Sequence, residues 1–208
     1  MVRVSLRRCF GEGIMFVSIV ITYYDPQQRK VDMLCDLVRS IGENSFGKNY
    51  KLEIVLNGKS YVDSINEGLR RSTGDYIIIL NDDVLIEDPE WIDKLCKPDC
   101  ISAWQLGEFH LTKDKVPDAA CFAMSKEVQK RIGFMDERFR DGINFEDTDY
   151  FFRAKELGIP FLDAGVKLKH YGNITLDKYF LDEKWGKTYR NESIFYQKWH
   201  ESIPRRDV

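Results

Sequence analysis

No apolar run in this chain approaches the roughly 20 residues a bilayer-spanning helix needs, so the sequence holds no candidate transmembrane segment. Histidine is scarce, with three residues, and the five cysteines (Cys9, Cys35, Cys96, Cys100 and Cys121) are scattered without a CxxC pair. Odd in number and without metal-ligand spacing, they read as reduced, mostly buried thiols of a cytoplasmic protein, not as a disulfide frame or a zinc site. Positive charge is not in excess either. The 31 Lys and Arg against 34 Asp and Glu leave a formal net charge of -3, so no polyanion-binding surface is advertised and nucleic acid is excluded as an expected partner. Residues 1–14, MVRVSLRRCFGEGI, are basic but lack the long apolar centre and small-residue cleavage site of a secretory leader. They read as a disordered tail or a non-native extension ahead of Met15.

The 208 residues, 43% apolar and 31% charged, suit one domain with a substantial core. Its organising stretch is residues 74–84, GDYIIILNDDV. Five consecutive apolar residues without polar alternation predict a strand buried on both faces of a parallel sheet. Asn81, Asp82 and Asp83 follow at its carboxyl end, the edge of an open α/β sheet where ligands bind. Two carboxylates and an amide are hard oxygen donors suited to Mg²⁺ or Mn²⁺, which can bridge nucleotide phosphates. Taken alone, such a pair reads first as a solvated turn, and it is the surrounding motifs that favour a site.

Residues 16–22 (FVSIVIT) predict a first strand with Tyr23, Tyr24, Asp25 and Pro26 as its exit loop. Apolar residues at helical spacing predict a crossover helix over 28–42, and residues 52–56 a second strand parallel to the first. Asn57 and Gly58 then allow two readings: a hairpin returning through Tyr61 and Val62, or a parallel strand ending level with Tyr23 and Asp82. A short helix capped by Asp63 or Ser64 follows, then the central strand. Asp88 and Pro89 open another helix to about Cys96, and residues 101–106 and 119–124 predict two more strands joined by a polar, mobile connection. Ser125 caps a helix that ends at Gly133.

A second acidic cluster lies at a helix start near Asp147, where Glu146, Asp147 and Asp149 complement the helix dipole. Capping and catalysis are compatible there, since a carboxylate held by N–H donors stays ionised and can take a proton from a hydroxyl. His170, flanked by glycine and short polar residues in KHYGNITL, is the histidine best placed for a site. Beyond residue 176, aromatics interleave with charges, which suits helices packed on the domain; exposed, the same face suits a membrane surface.

Together, SIVITYYD, SINEGLRRSTGDYIIILNDDV, the segment from CFAMSKEV to FEDTDYFFRAKELG, and KHYGNITL resemble the inverting, family-two glycosyltransferases of the GT-A fold, in particular the rhamnosyltransferase-like branch. The resemblance implies a GT-A α/β domain over 15–176, with a mostly parallel sheet flanked by helices, and a helical tail over 177–208. It implies transfer of a hexosyl group from a UDP-, dTDP- or GDP-linked donor to a saccharide or lipid-linked acceptor, as in polysaccharide biosynthesis, with Mn²⁺ or Mg²⁺ as cofactor. Asp83 becomes the metal ligand, with His170 as a further one. Asp147 becomes the base with Glu146 beside it, and Thr22, Tyr23, Tyr24, Asn57, Asn66, Asn81 and Asp82 become donor-binding residues. Asn81 and Asn57 stand where the family carries acidic residues. A catalytically silent nucleotide-sugar or glycan-binding module is the alternative; a sugar-phosphate nucleotidyltransferase fits less well, since YYDPQQRK is no Gly-rich phosphate loop.

Overall fold

A computed structural model describes residues 15–28, 30–109, 113–172, 179–180 and 182–200. The N-terminal extension expected over 1–14, with Cys9, lies outside the described residues. The first apolar run folds as β1 (Phe16–Tyr23), the amphipathic segment as α1 (Val31–Glu43) and the next run as β2 (Asn49–Leu56), parallel to β1 with Tyr23 opposite Leu56. Of the two readings of Asn57 and Gly58, the parallel one holds. Asn57 adopts φ 47°, a left-handed conformation asparagine tolerates, and its N–H donates to the Tyr23 carbonyl at 2.7 Å. The chain enters α2 (Tyr61–Arg71) capped by Ser60, so Tyr61 and Val62 form a first helical turn and not a return strand, and neither Asp63 nor Ser64 is the cap.

Strand β3 (Tyr76–Asn81) lies on the other side of β1, also parallel. Thr22 stands opposite both Val55 and Asn81, which brings the carboxyl ends of the three strands level. After β4 (Val84–Ile86), α3 (Trp91–Leu95) is shorter than expected and its cap is Glu90. The Asp88 carboxylate instead accepts the Glu90 and Lys167 N–H groups and the Lys94 ammonium. The polar connection expected after β5 (Ile101–Ala103) contains a two-stranded antiparallel ribbon, β6 (Leu106–Glu108) with β7 (Lys115–Pro117). Next come β8 (Cys121–Ser125), α4 (Lys126–Ile132) capped by Ser125, α5 (Glu146–Glu156), β9 (Phe161–Asp163), β10 (Leu168–His170) and α6 (Lys184–Trp199). The central sheet has six strands in the order β2-β1-β3-β8-β5-β9, with β8 antiparallel to both neighbours and the other pairs parallel.

The strands divide their apolar residues by parity, as a pleated backbone requires. Val17, Ile19, Ile21, Ile78 and Leu80 pack with Leu37, Ile41 and Trp91 on one face. Val20, Ile77, Ile79 and Phe122 pack with Ile65, Leu69 and Phe151 on the other. Helix α2 approaches β1 so closely that a Cβ at Gly68 would lie 2.2 Å from Val20 Cγ1. Helix α6 packs on the domain: its Phe195 and Trp199 are buried in the second cluster, while Trp185 and Tyr189 remain exposed. No described helix is long and apolar enough to cross a membrane.

Candidate active site

The level strand ends open into a cleft of about 530 Å³, within the range of about 300–1,000 Å³ typical of small-molecule sites. From the sheet side it is lined by Thr22, Tyr23 and Tyr24 of β1 and its exit, and by Asn81, Asp82 and Asp83 after β3. From the helix side come Glu146 and Asp147 of α5, and from β10 comes His170. Two acidic clusters some sixty residues apart in sequence thus face one cavity.

Asp83 is held by the small ribbon that β10 makes with β4. His170 stands opposite Val84 in that register, the Tyr171 N–H donates to the Asp83 carbonyl at 2.9 Å, and His170 Nε2 lies 3.2 Å from Asp83 Oδ1. This hydrogen bond is the main reason the His170 pKa is raised. Carboxylate and imidazole side by side suit Mn²⁺ or Mg²⁺, but among the described residues they gather no third acidic, histidine or cysteine side chain around them. Such a pair fits an ion whose remaining ligands are water and substrate phosphate oxygens.

Asp82 has a different neighbour. Its Oδ2 accepts from Lys30 Nζ at 2.5 Å, and the Lys30 side chain is 1% exposed. Burial raises the Asp82 pKa and the ammonium opposes that rise. Around this pair, Asp25 Oδ2 accepts the Tyr23 hydroxyl and the Lys30 N–H, each at 2.6 Å, while Asp25 Oδ1 accepts the Tyr179 hydroxyl. Asn57 Oδ1 accepts the Asp25 N–H at 2.7 Å, so its amide shapes the β1 exit loop. Tyr24 packs edge-on against Tyr179 and obliquely against Phe180. Sequence reasoning missed Lys30 and Asp25, because a lysine at a helix start and an aspartate in a turn are ordinarily solvated.

Asn66, expected among the donor-binding residues, is not brought to the cleft. Buried to 1% exposure, its Nδ2 donates to the Met135 carbonyl at 3.0 Å and its Oδ1 accepts the Met135 N–H at 2.8 Å, a reciprocal clamp between α2 and the segment leading to the acidic helix. Asn66→Ala leaves both backbone groups unpaired, and a loss of about 2–3 kcal/mol in urea unfolding is the expected result. Asp149 is likewise structural. It accepts Trp199 Nε1 at 2.9 Å and pairs with Lys198 at 2.7 Å and Arg153 at 3.0 Å, tying α6 to α5.

The start of α5 is shaped by consecutive left-handed residues, Asn144 at φ 62° and Phe145 at φ 67°. Non-glycine residues in that region cost free energy and persist where surroundings enforce them. Asn191 of α6, fully buried, supplies the enforcement: its Nδ2 donates to the carbonyls of Phe139 (3.2 Å) and Asn144 (2.8 Å) and reaches Glu146 Oε2 at 3.4 Å. A polar residue on the apolar stripe formed with Phe195 and Trp199 was the signal in the sequence that could have found it.

Enclosure raises the pKa of both carboxylates. Glu146 is pushed up to about 8, first by burial and then by the charge of Asp147. Asp147 also rises by burial, opposed by the Thr148 N–H at 2.6 Å and the Thr148 hydroxyl at 3.3 Å, both donated to its Oδ1. Of the pair, Glu146 is the one pushed above neutral pH, while the Thr148 bonds hold back the rise of Asp147. A folded pKa above the ordinary 4.5 means that stability is intact below that pH and is lost as pH rises towards 8. Glu146→Gln should then match the wild type in melting temperature near pH 4 and exceed it at pH 9. With a discount for partial exposure, the gain is about 2 kcal/mol, or roughly 5 °C for a chain of this size.

No protein-family profile matches the sequence, and no curated protein sequence matches it. Solved structures do share the fold. The catalytic domain of Drosophila β1,4-galactosyltransferase 7, solved with xylobiose, matches with TM-score 0.60 at 13% identity, over 79% of this chain and 74% of that one. GalNAc-T7 with UDP, GalNAc and Mn²⁺ matches with TM-score 0.63 at 11% identity, over 91% of this chain and 50% of that one. The mannosyltransferase PcManGT from Pyrobaculum calidifontis, with GDP-Man and Mn²⁺, gives TM-score 0.52 at 11% identity, over 70% and 53%. The chain is thus an α/β domain with the GT-A fold of glycosyltransferases.

Proposed function

We propose that the protein is an inverting, divalent-metal-dependent glycosyltransferase of the family-two type, which moves a hexosyl group from a nucleoside-diphosphate donor to a hydroxyl of a saccharide or lipid-linked acceptor. The observation that carries this reading is the convergence of Asp83 with His170 and of Asp147 with Glu146 on one cleft of a GT-A fold. Neighbouring folds hold UDP or GDP sugars with Mn²⁺, which supports the same donor class here.

In this mechanism Asp83 and His170 would hold the ion, and Thr22, Tyr23, Tyr24 and Asn81 line the donor side of the cleft. Once bound there, the ion would supply Lewis-acid neutralisation of the diphosphate leaving group. Lys30 keeps Asp82 paired within the wall, which leaves Asp83, beside His170, as the acidic side chain the strand end presents to the ion. Asp147, ionised and steadied by Thr148, takes the proton of the acceptor hydroxyl as that oxygen attacks the anomeric carbon from the face opposite the leaving group. Protonated Glu146 adds no second charge beside it. We place the reaction in a reducing compartment, the cytoplasm, because Cys35, Cys96, Cys100 and Cys121 are all free.

The test is incubation of purified protein with UDP-, GDP- and dTDP-linked hexoses and Mn²⁺, read by mass spectrometry for glycosylated product and for hydrolysed donor. Thermal stabilisation by a nucleotide without transfer or hydrolysis of any donor would replace this reading with a binding module.

A further inference from the structure

Helix α6 projects past the carboxylates it supports. Asn191 stands level with the start of α5, where it reaches Glu146, and Trp199 stands level with Asp149 further along that helix. The two helices therefore run the same way, and Trp185 in the first turn of α6 lies about 9 Å ahead of Asn191 along the axis, towards the cleft mouth that Lys187 lines. Trp185 is 67% exposed and Tyr189, one turn on, 63%; their rings lie 6.4 Å apart at 32°, so they present a joint aromatic surface to solvent. A single exposed apolar side chain is ordinary, but these have company on the rim. Leu56 ends β2 level with Tyr23, Tyr171 follows His170 with its N–H on the Asp83 carbonyl, and both are exposed.

The same rim carries positive charge. Lys59 lines the cleft after Gly58, and Lys169 stands on the outer face of β10, away from His170 as strand alternation requires. Both are exposed, and neither forms an ion pair among the described residues; Lys169 Nζ lies 4.4 Å from the Tyr171 ring centre. Two exposed acids beside the cleft, Asp141 and Glu183, are already met by Arg190 at 3.4 Å and Lys187 at 2.8 Å. On a chain of formal net charge -3, lysines without carboxylate partners among exposed Trp, Tyr and Leu are complementary to an anionic lipid surface. Ammonium groups meet the headgroups there, and Trp and Tyr occupy the interfacial depth they favour.

We propose that the rim of the cleft docks on an anionic lipid bilayer, with Trp185 and Tyr189 in the headgroup region and Lys59 and Lys169 on anionic headgroups, so that a lipid-linked acceptor enters the cleft from the membrane. The attachment is peripheral, since no described helix is long and apolar enough to cross. The proposal deepens the transferase reading and rests on it for the acceptor. Contact with lipid is measured without any transfer, so each of the two can fail alone.

The test is sedimentation of the full chain with vesicles of phosphatidylcholine alone and of an equal mixture with phosphatidylglycerol, at low and high salt. The wild type should bind the mixed vesicles at least about tenfold more tightly than the neutral ones, and high salt should remove most of that difference. Lys59→Gln combined with Lys169→Gln should lower binding to the mixed vesicles by roughly fivefold per lysine and leave the neutral ones unaffected. Trp185→Ser combined with Tyr189→Ser should lower binding to both compositions by about tenfold or more. That aromatic variant should keep the wild-type melting temperature and wild-type transfer to a soluble glycoside, because both side chains stand mostly in solvent. A wild type that binds neither vesicle, or binds both equally, overturns the proposal, and so does either variant if it binds as the wild type does. Self-association lost in the aromatic variant, without vesicle binding, would assign the rim to a second copy of the chain instead. If vesicles bind but no donor is turned over, the transferase reading fails and the docking stands. Transfer to a soluble glycoside by a protein that ignores vesicles removes the docking alone.

Discussion

Asp147→Asn is expected to lower sugar transfer by about 10³-fold or more while leaving nucleotide affinity within about twofold, as general-base removal does. Asparagine is the informative substitution because its carbonyl oxygen can still accept the Thr148 N–H that Asp147 Oδ1 accepts at 2.6 Å. The helix start survives and only the proton acceptor is lost. Removing that charge also takes away one of the causes that hold the Glu146 pKa near 8, so the Glu146 carboxyl should ionise at lower pH in the variant. Single-turnover transfer alongside calorimetric nucleotide binding checks both halves. Wild-type transfer by Asp147→Asn would remove the base assignment, and a parallel loss of nucleotide binding would assign Asp147 to the donor.

Asp83→Ala is expected to weaken Mn²⁺-dependent nucleotide binding at least about tenfold, a change of about 1.4 kcal/mol or more, and to reduce transfer to background. Beside it in the chain, Asp82 is no ready replacement. Its Oδ2 is engaged by a lysine that is 1% exposed, and breaking a buried pair costs about 3–5 kcal/mol. His170 would remain, but a lone imidazole gives a divalent ion little to hold. In melting experiments the wild type should rise with nucleotide only when Mn²⁺ is present, and Asp83→Ala should show little rise in either condition. An undiminished Mn²⁺-dependent shift in the variant would mean that the ion, if bound, is held elsewhere.

Much of this architecture was legible because its signals are local. The apolar run before Asn81 could be little else than a doubly buried strand, and Ile77 and Ile79 do go to one face while Ile78 and Leu80 go to the other. Ser125 and Gly133 marked the ends of α4 by capping and by φ 85°, chemistry that resides in the residues themselves. Two readings of Asn57 were open because its dipeptide suits a hairpin as well as a left-handed exit from a parallel strand, and only the pairing of β2 with β1 separates them. Asn66 was misplaced for a related reason. A conspicuous amide on a short helix looks available for a ligand until Met135, far along the chain, takes both of its groups.

The sequence by itself determined the main strands and helices, the Ser125 cap of α4 and the two clusters of carboxylates, since periodicity, capping and turn chemistry act over a few neighbouring residues. Tertiary structure decided what each polar group is for. It paired Asp82 with Lys30 across 52 positions, set His170 against Asp83, and gave the start of α5 its shape through Asn191. The physical reason is that charge, hydrogen-bond satisfaction and desolvation depend on distances between atoms, and those distances are fixed only once the sheet has formed and the helices have closed over it.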